Sequence, residues 1–124
     1  MLLSEVTLVR SFSQADFDRF ARLSGDDNPI HTDPEFSART HFGQTVAHGL
    51  LLCSVLRGLV DQLLPGGNIQ EQSVVFPAPT FADDPMRFSA EIAQAEGALT
   101  ELSFEVRRVS DGEVTCQGNC GVAP

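Results

Sequence analysis

The segment His48 to Leu64 constrains the fold more than any other part of this chain. It is apolar on nearly every helical side, Pro65-Gly66-Gly67 stops it, and only strand-like segments follow. A helix of that composition is usually enclosed rather than laid on a surface. The segments available to enclose it are Ile69 to Phe76, Met86 to Ala95, Leu99 to Arg108 and Glu113 to Val122. A proline-rich stretch, Glu96-Gly97 and Ser110-Asp111-Gly112 supply the turns between them. Alternation is clearest in Leu102, Phe104 and Val106 against Glu101, Ser103 and Glu105, which gives one buried and one wetter face. With a short first strand at Glu5 to Arg10, the pattern predicts an α+β fold in which about five antiparallel strands curl round one long helix.

An earlier helix is marked by its ends. Ser13 stands as N-cap with Asp16 in the reciprocal position, and Phe12 is placed to pack against Phe17. Phe17, Phe20, Ala21 and Ser24 continue one face, and Gly25 can close the helix in a left-handed conformation. From Asp26 to Gln44 the chain reads as a structured loop, with one helical turn over Pro34 to Arg39 capped by Asp33. No repeat or linker divides the 124 residues, so residues 1–124 are read as one domain, long enough to bury its own core.

Charge and cysteine content exclude several classes. The net charge is −9, with eight arginines and no lysine, which argues against nonspecific nucleic-acid binding through clustered cations. The start lacks the pattern of a secretory signal, and the most apolar stretch carries Arg57, Asp61 and Gln62. Neither a membrane span nor export is expected, and a cytoplasmic location follows. Cys53, Cys116 and Cys120 form no disulfide framework. Cys116 and Cys120 lie about 13 Å apart along a strand, beyond disulfide reach.

The densest chemistry lies in Ser24-Gly25-Asp26-Asp27-Asn28-Pro29-Ile30-His31-Thr32-Asp33, followed by Ala47-His48-Gly49. Asp26 and His31 stand five apart across a proline-bent loop, so a carboxylate and an imidazole can converge on one water. The same residues also suit a plain Asx turn and a histidine satisfied by its own backbone, and the loop alone leaves both readings open. His31, Asp33, His41 and His48 are ligand-type residues, yet HExxH is absent. A calcium loop counted from Asp26 fails at Ile30 and His31, so no metal is expected. His48-Gly49 opens the apolar helix, whose first amides have no intrahelical partner, so the Gly49 N–H suits a ligand oxygen. Gly49 equally suits close packing against a strand. No GxSxG or glycine-rich phosphate loop is present, and Cys53 inside the helix reads as a packed thiol.

Asp26-x-Asn28-Pro29-Ile30-His31-x-Asp33, followed by Val46-Ala47-His48-Gly49-Leu50-Leu51, resembles the MaoC-like or (R)-specific enoyl-CoA hydratases. The similarity runs from about Phe12 to the last strand and includes Phe76-Pro-Ala-Pro and Asp84. The resemblance implies a hotdog fold, an acyl-CoA substrate, no cofactor, and a homodimer or dimer of dimers. By matching position it implies that Asp26 and His31 activate water, Asn28 fixes the loop, and the Gly49 N–H holds the thioester oxygen. His48 joins the implied substrate-binding set. Arg57 is a candidate for it as a departure from the family: it lies on the stretch that resembles an acyl-pocket wall, where a small or apolar residue is expected, and a solvated or interface-paired arginine is an equal reading. Asp83 departs from the pattern, which commonly has Gly before the aspartate. Two other readings stay open at this point: a thioesterase or specialised dehydratase on the same scaffold, and a non-catalytic acyl-binding hotdog subunit.

Overall fold

A computed structural model describes residues 4–96 and 98–124. Gly97, half of the Glu96-Gly97 turn, lies outside the described residues. The elements run β1 (Glu5–Arg10), α1 (Gln14–Ser24), α2 (Pro29–Thr32), α3 (Pro34–Ala38), α4 (Gly49–Leu63), β2 (Asn68–Val75), β3 (Met86–Glu96), β4 (Leu99–Arg108) and β5 (Val114–Ala123). The five strands form one sheet in the order β1-β3-β4-β5-β2, with every neighbouring pair antiparallel. Packed on α4, this is the expected hotdog arrangement.

The buried side of α4 presents Leu52, Leu56, Leu59, Val60 and Leu63 to Met86, Phe88, Leu102, Val106, Cys116 and Val122. The alternation read in β4 holds, because Leu102 and Val106 are fully buried and Phe104 nearly so. The other side of α4 departs from the expectation of an all-round enclosed helix: Leu50, Ser54, Arg57, Gly58, Asp61 and Gln62 are exposed. One five-stranded sheet covers only one side of a helix, so the apolar outer positions stay open in the single chain. Among the described residues, no helix is long and apolar enough to cross a membrane.

Helix α1 begins with the capping box: the Asp16 N–H donates to Ser13 Oγ at 3.2 Å and the Ser13 N–H donates to Asp16 Oδ2 at 2.9 Å. Phe12 and Phe17 are both buried, with Phe12 set edge-on to Phe88 at 6.0 Å. Gly25 ends the helix at φ 81°, where its N–H donates to the Ala21 carbonyl. The loop that follows contains more helix than its sequence suggested. Asn28 caps the short α2, Pro29 occupies a first-turn position that needs no donor, and Asp33 both ends α2 and caps α3.

Asp83 has φ 66°, the only positive φ outside glycine among the described residues. The departure from the family pattern at this position is therefore an aspartate in a backbone conformation that favours glycine. Its N–H donates to the Phe12 carbonyl at 2.6 Å, tying the turn before β3 to the start of α1.

Candidate active site

The left-handed end of α1 turns the chain so that Asp26 starts a run of local hydrogen bonds. The Asp26 N–H donates to Ser24 Oγ, the Asn28 N–H to Asp26 Oδ1, and the Ile30 N–H to Asn28 Oδ1. Asp27 stays on the exposed outside of this turn. The run delivers His31 on α2 into the interior, where its side chain is only 10% exposed. Ser37 bridges from below, donating to the carbonyls of Pro29 and Ile30 at 3.2 Å each.

The His31 ring lies 2.8 Å by Nδ1 from the Val46 carbonyl oxygen. A carbonyl only accepts, so Nδ1 carries the proton and the neutral ring presents Nε2 as an acceptor. Nε2 lies 3.8 Å from Asp26 Oδ2. That gap is too long for a direct strong hydrogen bond and short enough for both acceptors to hold one water.

His48 stacks on the His31 ring at 3.8 Å between centroids and 21° between planes, and Phe20 packs on His48 from nearby at 4.9 Å. Its Nε2–H donates to the Asp26 carbonyl at 2.9 Å, so His48 fixes the backbone of the residue whose side chain faces His31. Burial pushes the His48 pKa down, aided by the charge that His31 would carry, against opposing effects of the Asp26 carbonyl and carboxylate. Its Nδ1 is buried with no partner, in keeping with a ring kept neutral.

Asp26, His31 and His48 bring one ligand-type atom each to within 4.8 Å of one another. Lone pairs on imidazole lie in the ring plane, however, and two planes inclined by only 21° at stacking distance do not meet near the rings. The pair is therefore ill-disposed to chelate one ion without ring rotation.

All three residues line a cavity of about 840 Å³, together with Ile30, Val46, Gly49, Cys53 and the strap Phe76 to Phe81. Such a volume suits a small-molecule ligand. Gly49 is the first residue of α4, so its N–H has no acceptor within the helix and sits at the positive end of the dipole. A side chain at Gly49 would bring its Cβ to 2.6 Å from Phe76 Cζ, so glycine is what lets that ring lie over the helix start. The close packing expected of this glycine is thus against the ring of Phe76, just past the end of β2, rather than against a strand.

Not every expected residue is brought here. Asn28 does not line the cavity; it meets the site through its N–H on Asp26 Oδ1 and its cap on α2. Arg57 does not line the cavity: it stands on the open side of α4, half exposed and paired with Asp61 at 3.2 Å. Cys53 is half-buried in the cavity wall, where the Cys116 thiol beside it draws its pKa down to about 7 against the effect of burial.

Other parts of the site give no motif in the sequence. Gln14 donates from Nε2 to the His31 carbonyl at 2.8 Å and accepts from Thr45 Oγ1, clamping both sides of the His31 pocket. Val46 takes part twice, with its N–H on the Ile30 carbonyl and its carbonyl on the His31 ring. The signal for Gln14 was its place on the first turn of a well-capped helix that leads to Asp26; for the Val46 carbonyl there was none.

Residues 4–114 match the family described as the MaoC like domain. The chain is 42% identical over 87 residues to the (R)-specific enoyl-CoA hydratase of Aeromonas caviae, a match covering 68% of this chain and 65% of that protein. It is 36% identical over 94 residues to the 3-hydroxybutyryl-CoA dehydratase of Methylorubrum extorquens, covering 74% of this chain and 59% of that protein. These matches therefore span under two thirds of either relative's length. The solved (R)-hydratase from A. caviae involved in PHA biosynthesis superposes with a TM-score of 0.90 at 31% identity, over 99% of this chain and 96% of that one. By its sequence, fold and Asp26–His31 loop, the chain belongs to the MaoC-like domain family.

Proposed function

We propose that this protein adds water reversibly across the double bond of a trans-2-enoyl-CoA thioester, giving the (R)-3-hydroxyacyl-CoA. The observation that carries this reading is the bond from His31 Nδ1 to the Val46 carbonyl, which turns a basic Nε2 toward Asp26. A water held by Nε2 and the Asp26 carboxylate gives its proton to Nε2 as its oxygen attacks C3. The imidazolium, flanked by Asp26 and the Val46 carbonyl, then returns a proton to C2. Water is consumed across one C=C bond and no co-reactant is needed. The Gly49 N–H donates to the thioester oxygen as negative charge builds there, and acts with the acid/base pair because polarising the carbonyl is what makes C3 electrophilic. Names of relatives that act as hydratases and dehydratases on acyl thioesters support the same reaction class.

The reading includes a cytoplasmic setting and a homodimer, or a dimer of dimers. Leu50 (69% exposed), Val75 and Phe76 leave an apolar patch beside the cavity mouth and the edge strand β2. A second copy seated there would cover the open side of α4. Sedimentation velocity on the wild type and on Leu50→Glu tests this part; a monomer in both would overturn it.

The reaction itself is tested by the loss of conjugated-thioester absorbance when the protein meets crotonyl-CoA, with Asp26→Asn run alongside and product chirality determined. Turnover that depends on Asp26 and yields the (R)-alcohol is expected. Release of free thiol would favour thioester hydrolysis instead, and tight binding without turnover would favour a binding subunit.

A further inference from the structure

Arg108 lies at the end of β4, only 8% exposed, and has no place in the reaction as written above. Its guanidinium reaches Asp84 at 3.3 Å, Asp111 at 3.1 Å and Glu113 at 2.9 Å. It also donates from Nη2 to the Pro79 carbonyl at 2.7 Å, and its carbon stands 5.6 Å over the Phe81 ring. The arginine side chain is 10% exposed while its carboxylate partners are 37–54% exposed, so the ion pairs are weak devices for stability, and the fork of the guanidinium is better suited to fixing geometry.

What Arg108 fixes is the strap over the active-site cavity. Pro79 lies on that strap and Asp84 between it and β3, while Asp111 and Glu113 belong to the β4–β5 turn. The strap is joined in turn to the chain before α4: the Ala47 N–H donates to the Thr80 carbonyl at 2.8 Å, and Val46 pairs with Phe81. Val46 then presents the carbonyl that holds the His31 ring. Three hydrogen-bonded steps therefore lead from Arg108 to Nδ1 of His31, and Gly49 follows Ala47 by two residues.

We propose that Arg108 is a positioning residue for the hydration reaction, acting through Pro79–Phe81 on the Val46 carbonyl to hold His31 in the tautomer that turns Nε2 toward Asp26. The proposal rests on the hydratase reading for its kinetic consequence, but its structural core concerns His31 alone. A displacement of about 1 Å in a positioning group is enough to reduce turnover by about 100-fold. Lysine, a single point charge, cannot replace a fork that serves the strap and three carboxylates together.

The test compares wild type, Arg108→Gln and Arg108→Lys, each below its unfolding transition. The His31 ring is followed by long-range proton–nitrogen NMR at alkaline pH, which reads directly which ring nitrogen carries the proton. Wild type should show one tautomer with the proton on Nδ1. Arg108→Gln should show both tautomers and a kcat on crotonyl-CoA lower by about 10- to 100-fold, with KM changed less than about 3-fold. Arg108→Lys should fall between the two, by at least about 5-fold in kcat. If Arg108→Gln does not fold, the lysine variant decides alone. An unchanged tautomer with kcat within about 2-fold of wild type in the folded variants would overturn the proposal, leaving Arg108 a structural residue. If wild type has no turnover, the hydratase reading fails, while the tautomer comparison still decides whether Arg108 positions His31.

Discussion

The β3–β4–β5 meander and the segment from Asp26 to His48 are built by opposite means. The meander is held by main-chain ladders and by side chains that matter for their volume, such as Phe88, Leu102 and Val106, all fully buried. The segment from Asp26 to His48 is held atom by atom, through Asn28, Asp33, Ser37, Thr40 and Gln14 bonding to neighbouring backbone. Ladders tolerate exchange of side chains of similar shape; single polar contacts do not. Stability should therefore reside mainly in the first region and reactivity in the second, so that substitutions separate the two.

The largest effect expected is on rate. Asp26→Asn and His31→Ala should each reduce hydration by about 100- to 10,000-fold. Because the Asp26 side chain is 57% exposed, Asp26→Asn should leave the urea midpoint nearly unchanged. Near-normal turnover in a folded variant would break the division at its most important point. The reverse case is Phe88→Ala, a fully buried ring against Phe12, which should destabilise by about 3–5 kcal/mol in chemical denaturation. Turnover per folded molecule should stay close to that of wild type.

Two glycines sharpen the contrast. A Cβ on Gly118 would lie 2.0 Å from the Ser73 carbonyl oxygen, in the β2–β5 ladder, where backbone must move. Gly118→Ala should cost about 1–3 kcal/mol, read from its denaturation midpoint. At Gly49 the obstacle is the ring of Phe76, which is 46% exposed and can swing aside. Gly49→Ala should be the milder change in stability and the more severe one in turnover, measured on the same two preparations.

A smaller effect is expected from pH. The folded pKa of His48 is depressed by burial, so the native state binds fewer protons there than the unfolded chain does. This contribution is complete above the unfolded histidine value of about 6.5 and is lost as pH falls toward the folded value. Urea titrations across that range should show wild type losing stability relative to His48→Gln; parallel curves would show that His48 does not contribute. Smallest of all, Asp83→Gly should relieve the left-handed backbone at φ 66° and raise stability by no more than about 1 kcal/mol, since glycine also loosens the unfolded chain.

The regions also differ in how far they could be read. In the meander each strand carries its own period, so Leu99–Arg108 was legible to the residue, and Ser13, Asp16 and Gly25 marked both ends of α1. The Asp26–His31 pair stood out because a carboxylate and an imidazole stand five apart across a proline-bent loop, within a motif that resembles the family's. The short α2 did not, since Asn28 followed by proline starts a turn and a helix with the same first hydrogen bond. Whether Arg57 faces the acyl pocket stayed open in the sequence, because an apolar helix has little periodicity to say which way one arginine points. Only the packed sheet, which takes Leu56 and Leu59 inward, sets its direction. Arg108 read as the polar end of a strand, because its partners come from two turns that the sequence does not place together.

The oxygen that sets the His31 tautomer belongs to the main chain of Val46. Every amino acid carries that atom, so no single codon change at position 46 can remove it. Drift there is confined to what the buried side chain allows, while the proton's location is inherited through the path of the backbone. A descendant could exchange Val46 for another small apolar residue and keep the chemistry, yet lose it through an insertion in the strap that left both Asp26 and His31 in place.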